Sequence, residues 1–131
     1  MGITYRRTTD GLRHEQLEDF FEGWVVAPSA EIRLAILRNS YAVWLAFDGD
    51  LCAGFINALS DGIFYSYVPL LEVLPAYKGH GIGSELVRRM LITVESMYAV
   101  DIVCDESVAP FYEKLEFVKY TAMIKRKGYN H

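Results

Sequence analysis

The segment best equipped for chemistry in this 131-residue chain is Lys78-Gly79-His80-Gly81-Ile82-Gly83, between an apolar run and a helix-type pattern. Glycine has no Cβ and reaches positive φ, so such a loop can close its backbone amides on an anion. At a helix start the first N–H groups have no intrahelical partner, and the macrodipole adds partial positive charge. Lys78 adds a cation at the mouth. The expected ligand is a phosphate or pyrophosphate. A second reactive group, Glu72, stands inside the apolar run Leu70-Leu71-Glu72-Val73-Leu74. Burial would raise its pKa toward the range of a general base. A strand-end glutamate facing water or paired with lysine fits the same pattern. Strand alternation puts Glu72 on the face opposite Leu71 and Val73.

Spacing separates the phosphate-binding alternatives. No window supplies the G-x-x-x-x-G-K-(S/T) of a Walker A loop. A dinucleotide fingerprint requires G-x-G-x-x-G, whereas Gly79, Gly81 and Gly83 run G-x-G-x-G and Ser84 stands where the third glycine belongs. The hairpin pattern upstream also fits badly with a first dinucleotide-binding strand. Residues 71–84 instead resemble the acetyl-CoA-binding motif of the GNAT superfamily of N-acetyltransferases, V-x-P-x-Y-(R/K)-G-x-G-(I/L)-G. Val73 to Gly83 satisfies that pattern throughout. Downstream, Ala109-Pro110-Phe111-Tyr112-Glu113-Lys114-Leu115-Glu116-Phe117 is similar to the family's A-x-x-F-Y-x-K-x-G-F.

The resemblance implies acetyl transfer from acetyl-CoA to an amine through a tetrahedral intermediate, without a metal. It places the pyrophosphate on the amides of Gly79, His80, Gly81, Ile82 and Gly83, with Ser84 and Lys78 beside it. Backbone groups of Leu71 and Val73 would meet the pantetheine arm and the thioester carbonyl. Tyr112 would be the general acid for the departing thiolate, a role that suits a phenol neutral at pH 7. A core tyrosine, in a chain holding nine, explains the same residue. Glu72, or a water chain in its place, would take the amine proton. Two positions depart from the family: Glu116 replaces a glycine, and Asp105-Glu106-Ser107 replaces a loop that often carries asparagine.

These groups need elements to hold them. With 52% apolar and 23% charged residues the chain can bury a core, and its length suits one domain, 1–131. A net charge of -4 argues against a nucleic-acid partner. The first residues lack an apolar leader and no run approaches a membrane span, so a cytoplasmic protein without a membrane partner is expected. Cys52 and Cys104 each fall in apolar strand-like runs and read as buried hydrophobes. The pattern predicts strands at Ile3–Thr8, Tyr41–Phe47, Leu51–Leu59 and Ile63–Val68, then a bulge or break at Pro69 before Leu70–Leu74. It predicts helices at Leu12–Trp24, from Ser29 to about Asn39, at Gly81–Tyr98 and at Val108–Leu115, with strands at Val100–Cys104 and Phe117–Ile124. The order β-α-α-β-β-β-α-β-α-β implies an α/β fold, a GNAT-like mixed sheet flanked by helices.

The acceptor is less legible. Glu15, Glu18, Asp19, Glu22 and Glu31 favour a cationic amine, such as a polyamine, an amino sugar or a lysine side chain, though solvated helix faces explain them too. Phe21, Trp24, Phe64, Tyr65 and Tyr67 could line its pocket or simply pack. A homodimer is compatible with open sheet edges. A non-catalytic acyl-CoA-binding module and an aromatic-rich interaction protein are the competing readings.

Overall fold

A computed structural model describes residues 2–128; Met1, at the head of the segment read for a leader, and residues 129–131 lie outside it. Five strands, β1 (Ile3–Arg6), β2 (Ala42–Asp48), β3 (Leu51–Ser60), β4 (Tyr65–Val73) and β5 (Ala99–Ile102), lie side by side in sequence order. The first four pair antiparallel, and β4 pairs β5 in parallel. The helices are α1 (Ala30–Arg38), α2 (Ile82–Thr93) and α3 (Ala109–Glu113). The expected mixed α/β sheet with flanking helices is therefore present.

Alternation along the strands divides the core between the two faces. Phe55, Phe47 and Leu74 join Leu17, Phe20, Phe21 and Leu37 on the α1 side. Ile56 and Val68 meet Ile82, Leu86, Met90 and Val94 on the α2 side. Each of these large side chains contributes about 1.5–3 kcal/mol on burial. Ser29 caps α1 as predicted, its hydroxyl accepting from the Ile32 N–H at 3.3 Å.

The irregularity expected at Pro69 lies inside a single strand. Register runs Asn57 against Leu70, then slips by one residue to Leu59 against Tyr67. Pro69 has no N–H to offer the ladder. Fully buried Asn57 bridges the gap: its Oδ1 accepts from the Leu70 N–H at 3.1 Å and its Nδ2 donates to Ser40 at 3.0 Å. On the other side, the ladder to β5 ends at Val68 and Ile102. Strand β4 thus leaves β5 at the proline, immediately before Leu70–Leu74.

Three elements differ from expectation. Leu12–Trp24 forms only a 3-10 turn, His14–Leu17, within a loop. Leu12, Leu17, Phe20 and Phe21 are buried as their spacing suggests and Trp24 is exposed, but Phe21 has φ 68° and Gly23 φ 80°, which no α-helix accommodates. The Leu17 and Glu18 carbonyls accept from Arg33 Nη1 at 2.7 and 2.8 Å, where a helix would have used its own amides. Helix α2 ends at Thr93, whose hydroxyl bonds the Arg89 carbonyl at 2.8 Å and accepts from the Trp44 indole at 2.9 Å. Phe117–Ile124 belongs to no strand, and Val118, Tyr120 and Met123 are almost wholly exposed.

Candidate active site

The glycine turn has the form its composition suggests. Gly79 and Gly81 have φ 83° and 80°, and a Cβ on either would meet no atom within 4 Å. Gly81 is the N-cap of α2, with no side chain capping the first turn among the described residues. The amides of Ile82, Gly83 and Ser84 therefore start the helix without an intrahelical acceptor, beside open space. Lys78, His80 and Ser84 are exposed around it, whereas the Ile82 side chain is buried and anchors the helix. A short 3-10 turn, Pro75–Tyr77, leads in, and the Tyr77 hydroxyl donates to Asp48 on β2 at 2.5 Å. A Cβ on Gly83 would stand 3.7 Å from both Val73 and Phe111. The turn, the diverging end of β4 and α3 are thus brought to one place.

Glu72 faces away from Leu71 and Val73, as alternation requires. Leu70 and Leu74, its neighbours two residues away, pack on the α1 side, while Leu71 and Val73 pack on the α2 side. Its Oε1 accepts from the Phe21 N–H at 2.8 Å, and its Oε2 is buried with no hydrogen-bond partner among the described residues. Burial raises the Glu72 pKa against the lowering effects of the Phe21 amide, Arg33 and Lys78. Phe21 holds its left-handed conformation with its ring 6.3 Å from Phe55 and under Arg33, 4.9 Å from the guanidinium carbon. Arg33 also donates to the Pro28 carbonyl at 2.8 Å, so one side chain ties together the loop that closes over Glu72.

Tyr112 is buried between Phe111 at 4.9 Å and Phe117 at 5.5 Å. Burial, with a smaller contribution from Cys104, pushes its pKa up to about 12. Its side chain makes no hydrogen bond among the described residues and lines a cavity of about 760 Å³. Helix α3 ends with the Glu116 N–H bonded to Glu113 and the Phe117 N–H to Tyr112, both at 3.1 Å, and with Glu116 at φ 72°. This is a Schellman arrangement, so Glu116 adopts the conformation a glycine would take there.

Glu72 and Tyr112 lie toward opposite faces of the sheet, and neither described cavity is lined by both. The aromatic residues do not gather into one pocket either. Phe21 is in the core, Tyr65 and Tyr67 line the cavity with Tyr112, and Phe64 stacks on Tyr98. Cys52 is buried as expected, but Cys104 is exposed because β5 stops at Ile102. Glu18, Asp19 and Glu22 line a second cavity of about 550 Å³ against Leu74, Pro75 and Ala76. No group of three His, Cys, Asp or Glu among the described residues could hold a metal. Sequence reasoning missed Arg33 and the Phe21 amide, which local pattern does not mark. It also missed Asn57, which a lone amide in an apolar strand opposite Pro69 did signal.

The chain matches the Acetyltransferase (GNAT) domain family over residues 8–131. Among solved structures, it is similar to a candidate acetyltransferase from Deinococcus radiodurans R1, with a TM-score of 0.92, 42% identity, and coverage of 95% of this chain and 88% of that one. A GNAT family acetyltransferase from Streptococcus pneumoniae TIGR4 gives a TM-score of 0.79 at 27% identity, covering 98% of this chain and all of that one. The GCN5-related N-acetyltransferase 1, chloroplastic, of Arabidopsis thaliana is 26% identical over 122 residues, 89% of this chain. The match spans 62% of that relative's own length, under two thirds. The family match over nearly the whole chain, on the fold and glycine turn described above, places the protein in the GNAT acetyltransferase family.

Proposed function

We propose that residues 1–131 act as one N-acetyltransferase domain that moves an acetyl group from acetyl-CoA to a primary amine. The observation that carries this reading is the uncapped, open turn at the start of α2, adjoining the end of β4 that has left β5. Amides of Gly79 to Ser84 would take the pyrophosphate, with Lys78 beside it. The backbone of Leu71 and Val73, without a β5 partner, would meet the pantetheine arm and the thioester. An acyl group in the gap between β4 and β5 is reachable from both faces of the sheet. Glu72 would take the amine proton from one face as nitrogen attacks the carbonyl carbon. The C–S bond then breaks and Tyr112, protonated well above neutral pH, would return a proton to the thiolate from the other face.

The acidic cavity of Glu18, Asp19 and Glu22 beside Leu74–Ala76 supports a cationic acceptor. A cytoplasmic location is part of the same proposal, supported by two unpaired cysteines. The test is an amine screen with acetyl-CoA and detection of released thiol. Turnover with a cationic amine supports the reading. Binding of coenzyme A without turnover across the screen favours a non-catalytic acyl-CoA-binding module, a reading helped by Glu72 and Tyr112 sharing no cavity.

A further inference from the structure

The Glu72 carboxylate is held from outside its own strand. The Phe21 N–H that donates to Oε1 belongs to the loop before α1, 51 residues earlier in the chain. At Phe21 φ is 68°, a left-handed conformation that is costly to an L-residue and persists only where the surroundings impose it. Arg33 supplies that support from a rigid element. It stands in the first turn of α1, with its own N–H bonded to the Ser29 carbonyl at 2.9 Å. From there the guanidinium reaches the loop on both sides of Phe21. Nη1 donates to the Leu17 and Glu18 carbonyls at 2.7 and 2.8 Å, and Nε donates to the Pro28 carbonyl at 2.8 Å. The guanidinium carbon also lies 4.9 Å from the centre of the Phe21 ring. Lysine, with one compact ammonium in place of a planar fork, cannot reproduce this set of contacts.

We propose that Arg33 is the positioning residue for Glu72, locking residues 17–28 in the conformation that brings the Phe21 amide to the carboxylate. Electrostatics act in the same sense. The charged groups that bear on Glu72 are Arg33 from α1 and Lys78 from the glycine turn, and both favour the carboxylate form, as does the Phe21 amide. Phe55, opposite Glu72 on β3, is apolar, and the loop's own Glu18, Asp19 and Glu22 line the second cavity. Removing the guanidinium therefore takes away a cation and releases an amide, and both losses raise the Glu72 pKa. The consequence for catalysis rests on the reading of Glu72 as the base; the placement of its carboxylate does not.

NMR titration of the intact chain tests the placement by following the Phe21 amide and the Glu72 carboxyl together as pH is varied. In wild type the Phe21 amide shift should track the titration of Glu72. Arg33→Lys, the milder change and the first to be read, keeps the charge but not the fork. The Phe21 amide should then cease to follow Glu72, and Glu72 should titrate at higher pH. Arg33→Gln, which also removes the charge, should displace it further. Steady-state kinetics reads the consequence. The acid limb of kcat should move up in pH in the same order, with the KM for acetyl-CoA unchanged. The plateau kcat should fall by about 10-fold or more in Arg33→Gln, and by less than about 2-fold when the same change is made in a Glu72→Gln background. A folded Arg33 variant whose Phe21 amide still follows Glu72 at the wild-type pH overturns the proposal. So does an Arg33→Gln loss that is equally large against an impaired Glu72→Gln. A Glu72→Gln enzyme with full kcat overturns the base reading instead, and the paired titrations still decide the placement.

Discussion

Replacing Glu72 by glutamine should make the protein more stable and less active, and the size of the first effect follows from its two carboxylate oxygens. Oε1 accepts from the Phe21 N–H at 2.8 Å, a bond that a glutamine oxygen can keep. Oε2 is buried with no partner among the described residues, so the ionised form bears an uncompensated desolvation cost there. A neutral amide in the same place loses less, and a buried unsatisfied group is worth about 1–3 kcal/mol, more when charged. Glu72→Gln should therefore gain on the order of 1 kcal/mol at pH 8, which corresponds to roughly 3–5 °C in Tm for a chain of this size. The pH dependence has a definite sign. Because burial raises the folded pKa above that of an ordinary glutamate, the folded state holds this proton more tightly than the unfolded state. Its contribution is complete below the unfolded pKa and is lost as pH rises through the folded one. The advantage of Glu72→Gln should accordingly shrink toward pH 4. Glu72→Ala should do the reverse and cost about 1–3 kcal/mol, by leaving the Phe21 N–H without an acceptor. Urea denaturation at pH 4 and pH 8 measures both variants. With Glu72 as base, the glutamine enzyme should also lose about 10²–10⁴-fold in kcat. A glutamine variant less stable than wild type at pH 8, or a gap identical at the two pH values, would refute the reasoning.

Further outcomes follow from other parts of the site. Tyr112→Phe should melt close to wild type, since no described hydrogen bond is lost, and should lower kcat by about 100-fold or more; full activity in steady-state kinetics removes Tyr112 as the acid. Its pKa near 12 also predicts that the tyrosine itself produces no alkaline decline in rate below about pH 10. Glu116→Gly relieves a left-handed penalty of about 1–2 kcal/mol and adds a glycine entropy cost of about 0.5–1 kcal/mol, for a net gain of roughly 0.5–1 kcal/mol by denaturant titration. Asn57→Leu strips the Leu70 N–H of its acceptor beside Pro69 and should cost about 1–3 kcal/mol, seen as a drop in Tm. An unchanged Tm would mean that the bulge does not depend on Asn57.

The parts of this protein legible in its sequence are those set by local chemistry. Ser29 caps α1 because a hydroxyl can satisfy the Ile32 amide, and Pro69 bends β4 because proline cannot donate. The open turn at Gly79 and Gly81 follows from positive φ, which glycine allows. Positions decided by distant partners were misread. Leu17, Phe20, Phe21 and Trp24 have helical spacing, yet Arg33 takes the carbonyls that a helix would need. Phe117–Ile124 reads as a strand from its alternation, but a strand exists only where a neighbour supplies the other half of the ladder. Glu72 reads as a carboxylate inside an apolar run, a pattern that fits a buried base and a water-facing strand end alike. That its oxygen is held by the Phe21 amide could not be read locally, because residue 21 is 51 positions away.

Coenzyme A binding, on the proposed function, turns on the helix start at Gly81, and a binding experiment addresses it without knowledge of the acceptor. Calorimetric titration with coenzyme A would compare wild type with Gly81→Val. No atom lies within 4 Å of the added Cβ, so the free protein bears mainly the left-handed backbone penalty of about 1–2 kcal/mol and should remain folded. Loss of two amide bonds to phosphate, each about 1.5–3 kcal/mol, should weaken binding by about 100-fold or more. Wild type that binds coenzyme A and a folded Gly81→Val that does not are the predicted results. A folded variant with undiminished affinity, or a wild type that does not bind coenzyme A at all, would contradict the account.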